Sequence, residues 1–245
     1  IDVKFGVPME TGQAFAFVRE ALELPALKIC GLHCHIGSQV FSIDGFARAA
    51  KIMFDFFCKV ENELNIKMEE LIVGGGFGVK YMPEDEPGTF SEKIDAMGEV
   101  LRAEAAKAGR EVPEIVIEPG RSMVCAAGCT LYTVGSVKEV TGFRNYVSVD
   151  GGMTDNPRFA LYGSPYTILP VASPVGEDFE LCSVVGRCCE SGDILQENIE
   201  MPESIARGDL IVCLTTGAYN YSMASNYNRL PRPAVVNVYS VFNCV

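Results

Sequence analysis

Apolar residues in the first half of the chain fall at two spacings, and each spacing predicts its own kind of element. Val3–Val7 and Leu27–Leu32 are short apolar runs of strand length, and between them Phe15, Val18 and Leu22 recur on one helical face. Asp44–Leu64 sets Phe46, Ala50, Met53, Phe57 and Leu64 along one stripe, the pattern of a helix laid on a core. Leu71-Ile72-Val73 reads as a strand that runs into glycines. Thr89 and Glu92 have capping-box spacing, Ile94, Met97, Leu101, Ala105 and Ala108 continue the helical period, and Gly109 suits the helix end. Ile115-Val116-Ile117 is a further buried strand. Four strands separated by three helices predict parallel pairing through right-handed crossovers.

After Arg121 the helical periods fade. Leu131–Val140, Tyr146–Val149, Leu181–Val185 and Leu210–Leu214 read as strands with turn residues between them. The pattern predicts an α/β domain over residues 1–128 and a β-rich second domain over 129–245. Four strands do not close an eight-stranded barrel, so the first domain is expected to be an open sheet or part of a TIM-like (β/α)8 barrel.

The predicted strand ends carry the candidate chemistry, because barrel sites gather there. His33–Gln39, Gly74–Gly78 and Glu118–Arg121 each follow a strand and are expected to meet at one mouth. Gly74-Gly75-Gly76-Phe77-Gly78 lacks a side chain at four of five positions, which lets backbone N–H groups approach a phosphate; a tight turn is the plainer alternative. It is neither a Walker loop nor GxGxxG. Arg121 suits an anion held bidentately and Glu118 suits a protonated heterocyclic nitrogen, with a surface ion pair as the alternative. His33 and His35 are the chain's two histidines and share one face of a strand. No further cluster completes a metal site around them, so no metal is expected; for one imidazole, stacking on an aromatic ring competes with a structural role. Cys189 could donate a proton or fill a small buried space.

Composition narrows the classes. A net charge of −12 argues against a nucleic-acid partner. No apolar run approaches the roughly 20 residues of a membrane helix. Ten cysteines form no CxxC pair, which predicts reduced thiols and a cytoplasmic setting.

Taken in order, His33-Cys34-His35-Ile36-Gly37-Ser38-Gln39, Gly74–Gly78, Glu118–Arg121, Asp150–Met153, Arg158–Tyr162, Cys189–Asp193 and Gly217–Tyr219 resemble the diaminopimelate decarboxylases. These belong to the alanine-racemase-like barrel class of pyridoxal-phosphate enzymes, with ornithine and arginine decarboxylases as relatives. The resemblance implies decarboxylation of meso-diaminopimelate to L-lysine and carbon dioxide in lysine biosynthesis. It implies that His35 stacks on the pyridine ring and that Glu118 pairs with the ring nitrogen. Ser38, Gly75, Gly76, the turn Pro119-Gly120-Arg121 and Tyr219 would hold the cofactor phosphate. Arg121, Arg158, Tyr162, Glu190 and Tyr219 match substrate positions, and Cys189 matches the cysteine that reprotonates the α-carbon. In the family that cysteine comes from the neighbouring subunit, which implies a homodimer with shared active sites.

Glu190-Ser191-Gly192-Asp193 and Arg158-Phe159-Ala160-Leu161-Tyr162 lean towards diaminopimelate over ornithine, arginine or carboxynorspermidine, although Phe159 stands where a proline is common. The family's Schiff-base lysine lies upstream of the segment resembling Val3–Val7, so the chain is expected to lack it and to represent the C-terminal part of the barrel. Val238–Val245 does not resemble the family's closing elements, so the second domain is expected to be incomplete. A non-catalytic homologue of a decarboxylase is the alternative from another class.

Overall fold

The computed structural model describes residues 4–172 and 178–238. The chain forms two compact units: the first takes the residues through Val79 together with Glu86–Met123, and the second takes Lys80–Asp85 and the chain from Val124 onward.

The first unit alternates helix and strand: α1 (Gln13–Ala21), β1 (Gly31–His33), α2 (Ile43–Leu64), β2 (Glu70–Ile72), α3 (Phe90–Lys107) and β3 (Glu114–Val116), followed by the short α4 (Arg121–Val124), whose last residue begins the second unit. The three strands pair in parallel in the order β1-β2-β3, with Leu32, Leu71 and Ile115 in register. Helix α2 starts where Ser42 Oγ accepts the Gly45 N–H, and it ends at Asn65 in the left-handed region. Helix α3 carries the expected capping box: Thr89 Oγ1 accepts from Glu92 N, and the Glu92 carboxylate accepts from Thr89 N. Of the predicted stripe of α2, Phe46, Ala50, Met53 and Phe57 are buried with Leu71 of β2 and Leu101 of α3, Leu64 is partly buried, and Phe54, outside the stripe, joins the same core. Each buried phenylalanine contributes about 1.5–3 kcal/mol relative to an exposed one.

Two strand expectations are corrected. Lys4–Gly6 forms bends and Val7 is irregular, with Phe5 exposed, because no described strand lies beside them to complete a ladder; Val3 lies outside the described residues. The Leu27–Leu32 run is a strand only from Gly31 to His33, since β2 offers three residues for pairing and Leu27 turns back through a hydrogen bond to Leu24 O. The described first unit therefore has three strands where four were expected.

The second unit is β-rich: β4 (Thr130–Val140), β5 (Arg144–Val149), the short helix α5 (Arg158–Tyr162), β6 (Ile168–Pro170), β7 (Phe179–Val185), β8 (Ile194–Pro202), β9 (Leu210–Cys213) and the short helix α6 (Asn220–Met223). Its six-stranded sheet runs β6-β9-β4-β5-β7-β8, antiparallel except at the β5–β7 pair. Tyr132, Val134, Val147, Tyr166, Leu195 and Ile211 form its interior. The pattern gave no signal for β6, which is three residues long and ends in proline, or for β8, whose polar residues and left-handed Asn198 interrupt the apolar run. Of the Val238–Val245 segment, all but Val238 lies outside the described residues. The architecture is an α/β fold with a partial (β/α) barrel followed by a β-rich unit.

Candidate functional site

In the first unit the three adjacent strands release their chains side by side. Beyond the paired residues the ladder continues through Cys34 N to Ile72 O, Val73 N to Val116 O and Glu118 N to Gly74 O at 2.8 Å. This brings the histidine loop, the glycine loop and Glu118 together, as the strand-end rule predicts. Gly74 and Gly76 have φ of +74° and +88°, which disfavours any side chain. A Cβ on Gly75 would overlap the Glu118 carbonyl oxygen, and one on Gly76 would overlap the Gly37 carbonyl oxygen. Close backbone approach, rather than a turn alone, therefore explains these glycines.

The surrounding side chains are tied into the same cluster. Gly75 N–H donates to His35 Nδ1 at 3.3 Å, which leaves the proton of a neutral ring on Nε2. Arg121 is buried at the start of α4 and donates from Nη2 to Ser38 Oγ at 2.9 Å. Gly120 N donates to Glu118 O, closing the Glu118-Pro119-Gly120 turn. Gln39, for which the sequence offered no role, locks the histidine loop to the glycine loop by exchanging two hydrogen bonds with the backbone of Val79. His33 Nε2 lies 2.7 Å from Glu118 Oε2, a partner that its position beside His35 did not announce.

The second unit holds the remaining candidates. Arg158 on α5 is buried, and its guanidinium lies 5.5 Å from the Tyr219 ring centroid, 5.7 Å from Tyr162 and 5.9 Å from Tyr81, within cation–π range. Its Nη2 reaches Ser164 Oγ at 3.4 Å, and its buried Nε has no protein partner. Beside it, the fully buried Tyr166 donates to Asn220 Oδ1, and burial pushes the Tyr166 phenol up to about 12.

Cys189 and Glu190 occupy an exposed turn. Cys189 N–H donates to Asn228 Oδ1 at 2.7 Å, and Glu190 Oε1 accepts the Gly192 N–H at 3.0 Å. Asp193 is buried beneath the turn and accepts from Met153 N and Cys188 N, so it joins the Asp150–Met153 and Cys188–Asp193 segments. Burial, with the Asp193 charge second, raises the Cys188 thiol to about 11, so it stays protonated at neutral pH. Asp155 accepts from the Tyr132 hydroxyl at 2.5 Å and from Gly152 N at 2.8 Å. Tyr132 and Asn220 carried no sequence signal. Asp193 and Asp155 did sit inside or beside the quoted motifs.

Comparison with known proteins supplies the lineage. Residues 1–125 match the model of the pyridoxal-dependent decarboxylase family's pyridoxal binding domain. The chain is 46% identical to the diaminopimelate decarboxylase of Bacillus subtilis (strain 168) over 97% of its length and 54% of that protein, and 43% identical to that of Bacillus methanolicus over 97% and 55%. It thus spans about half the length of the curated relatives it matches. Among solved structures, diaminopimelate decarboxylase from M. jannaschii in complex with L-lysine superposes with a TM-score of 0.86 at 34% identity, covering 95% of this chain and 52% of that one. The chain belongs to the pyridoxal-dependent decarboxylase family.

Proposed function

We propose that the protein is a diaminopimelate decarboxylase, which converts meso-diaminopimelate to L-lysine and carbon dioxide with pyridoxal 5'-phosphate. The observation that carries this is the meeting of Glu118, His35 and the triple glycine at the ends of three adjacent parallel strands. That arrangement fits the cofactor. The glycine loop is kept clear of side chains by backbone crowding, a buried arginine and a serine hydroxyl offer donors to a phosphate, and a carboxylate and an imidazole suit an aromatic ring with a protonated nitrogen. When bound, the cofactor supplies an electron sink for the carbanion left as carbon dioxide departs.

The chain's own residues divide the work. His35, its ring fixed by the Gly75 N–H, stacks on the pyridine. Glu118 holds a proton on the ring nitrogen. Ser38, Gly75, Gly76, the Pro119-Gly120-Arg121 turn and Tyr219 take the phosphate. Arg121 and Arg158 serve substrate carboxylates, Tyr162 and Tyr219 line the substrate, and Glu190 takes the distal ammonium. Cys189 returns a proton to the α-carbon. Residues 1–128 act as the cofactor-binding part of the chain, and 129–245 as its β-rich second domain.

The substrate assignment rests on the names of the relatives and on the L-lysine bound to one solved relative. The full-length protein, incubated with pyridoxal phosphate and meso-diaminopimelate, is expected to form lysine, followed by amino-acid chromatography. Turnover of ornithine or arginine in its place would refute the substrate. We further propose a homodimer that works in the cytoplasm. The nine described cysteines, all free thiols, support the reducing compartment. If Cys189 serves the partner's site, mixing inactive Cys189→Ala and Glu118→Gln proteins should restore part of the activity through hybrid dimers.

A further inference from the structure

We infer that His33 is a positioning residue for Glu118: it holds one carboxylate oxygen so that the other is presented to the ring nitrogen that Glu118 serves. The inference rests on the proposed cofactor role of Glu118 and deepens it. His33 ends β1, and Glu118 lies two residues beyond β3, with β2 between them. Strands two apart in a sheet are separated by about 10 Å. Their side chains nonetheless meet, with His33 Nε2 at 2.7 Å from Glu118 Oε2.

Gly74 and Gly75 make that crossing possible, since at the end of β2 they raise no side chain between the two groups. The Glu118 backbone is fixed as well, its N–H bound to Gly74 O at 2.8 Å. Backbone and carboxylate are therefore both held, and one carboxylate oxygen remains for another donor. His35, two residues on, is occupied differently through Nδ1 and Gly75 N. The two histidines of the motif thus have separate tasks.

Stability does not explain the pair. Its side chains are 49% and 52% exposed, and ion pairs at such exposure contribute little to folding. A change at His33 should therefore register at the cofactor and not in the unfolding curve.

The test uses the full-length protein with His33→Leu, His33→Gln and Glu118→Gln. In cofactor-free protein, nitrogen NMR should find the His33 proton on Nε2, with a signal that moves in Glu118→Gln. With pyridoxal phosphate labelled with nitrogen-15 in the ring, Glu118→Gln should shift the ring-nitrogen signal towards its unprotonated position. His33→Leu should shift it in the same direction and lower kcat by roughly tenfold or more, with KM little changed. His33→Gln, which keeps an N–H donor, should recover most of both, and the thermal midpoint should hold in all three. If Glu118→Gln moves the ring signal while His33→Leu leaves signal and kcat as they were, the inference falls and the reading of Glu118 stands. If Glu118→Gln leaves the ring signal in place, that reading falls and takes the inference with it.

Discussion

Asp155 sits where burial and hydrogen bonding oppose each other. Burial raises its carboxyl above the ordinary value, while the Tyr132 hydroxyl and Gly152 N–H pull it down without cancelling the rise. A carboxyl raised on folding contributes fully below its unfolded value, and its contribution is lost as pH rises through the higher folded value. Asp155→Asn is uncharged at every pH. Its deficit against the parent should therefore narrow from about pH 4 upward, as measured by urea unfolding across that range. At the neighbouring turn, Asp193→Ala would leave the buried acceptor positions of Met153 N and Cys188 N empty. Each orphaned donor costs about 1–3 kcal/mol, so a clear fall in the denaturant midpoint is expected. Glu190→Ala tests recognition instead. Loss of a charge-assisted hydrogen bond worth about 1.5–3 kcal/mol should reduce kcat/KM for diaminopimelate by roughly 10- to 100-fold, and an unchanged value would remove Glu190 from the substrate.

Elements differ in how openly the sequence declares them. Helices α2 and α3 are legible because an apolar stripe repeated over five turns has one burial solution, and because Thr89 and Glu92 announce the start of α3. Thr89→Ala should cost about 1 kcal/mol, readable by chemical denaturation. The strands are harder to delimit. Three-residue strands such as β1 and β6 take their limits from their partners, so Leu27 looks like strand in the sequence and lies in a turn. The strand-end loops of the site were legible for a geometric reason, since parallel strands deliver their following residues to one edge. The pairs that complete it were not. His33 meets Glu118 across 85 residues and Tyr166 meets Asn220 across 54, separations over which one sequence carries no pairing signal. The glycine loop lies between these cases: its composition was plain, but its reason, crowding by the Glu118 and Gly37 carbonyls, is tertiary. Gly76→Ala should therefore weaken pyridoxal phosphate binding measured by titration, while leaving the helical circular-dichroism signal near that of the parent.

For the molecule as a whole, chain order and spatial order part company at Lys80–Asp85. That stretch leaves the first unit, which resumes at Glu86, and belongs with the second. Tyr81 shows what it supplies. Its hydroxyl lies 3.0 Å from Cys125 Sγ, its carbonyl accepts from Thr167, and its ring meets Tyr166 edge-on at 5.0 Å. Removing so buried a ring costs about 3–5 kcal/mol in other cores. Tyr81→Ala should accordingly loosen the β-rich unit more than helices α2 and α3 of the first unit, a contrast that hydrogen exchange can resolve.

That borrowed segment also sets a timetable for biosynthesis. Lys80 accepts a hydrogen bond from Thr215, which the ribosome adds 135 residues later. At about 5–20 residues per second, this early stretch waits on the order of ten seconds for its permanent neighbours. For much of that interval Tyr81 is without Tyr166 and Thr167, which complete its packing, so the segment is made well before the unit it belongs to can close around it.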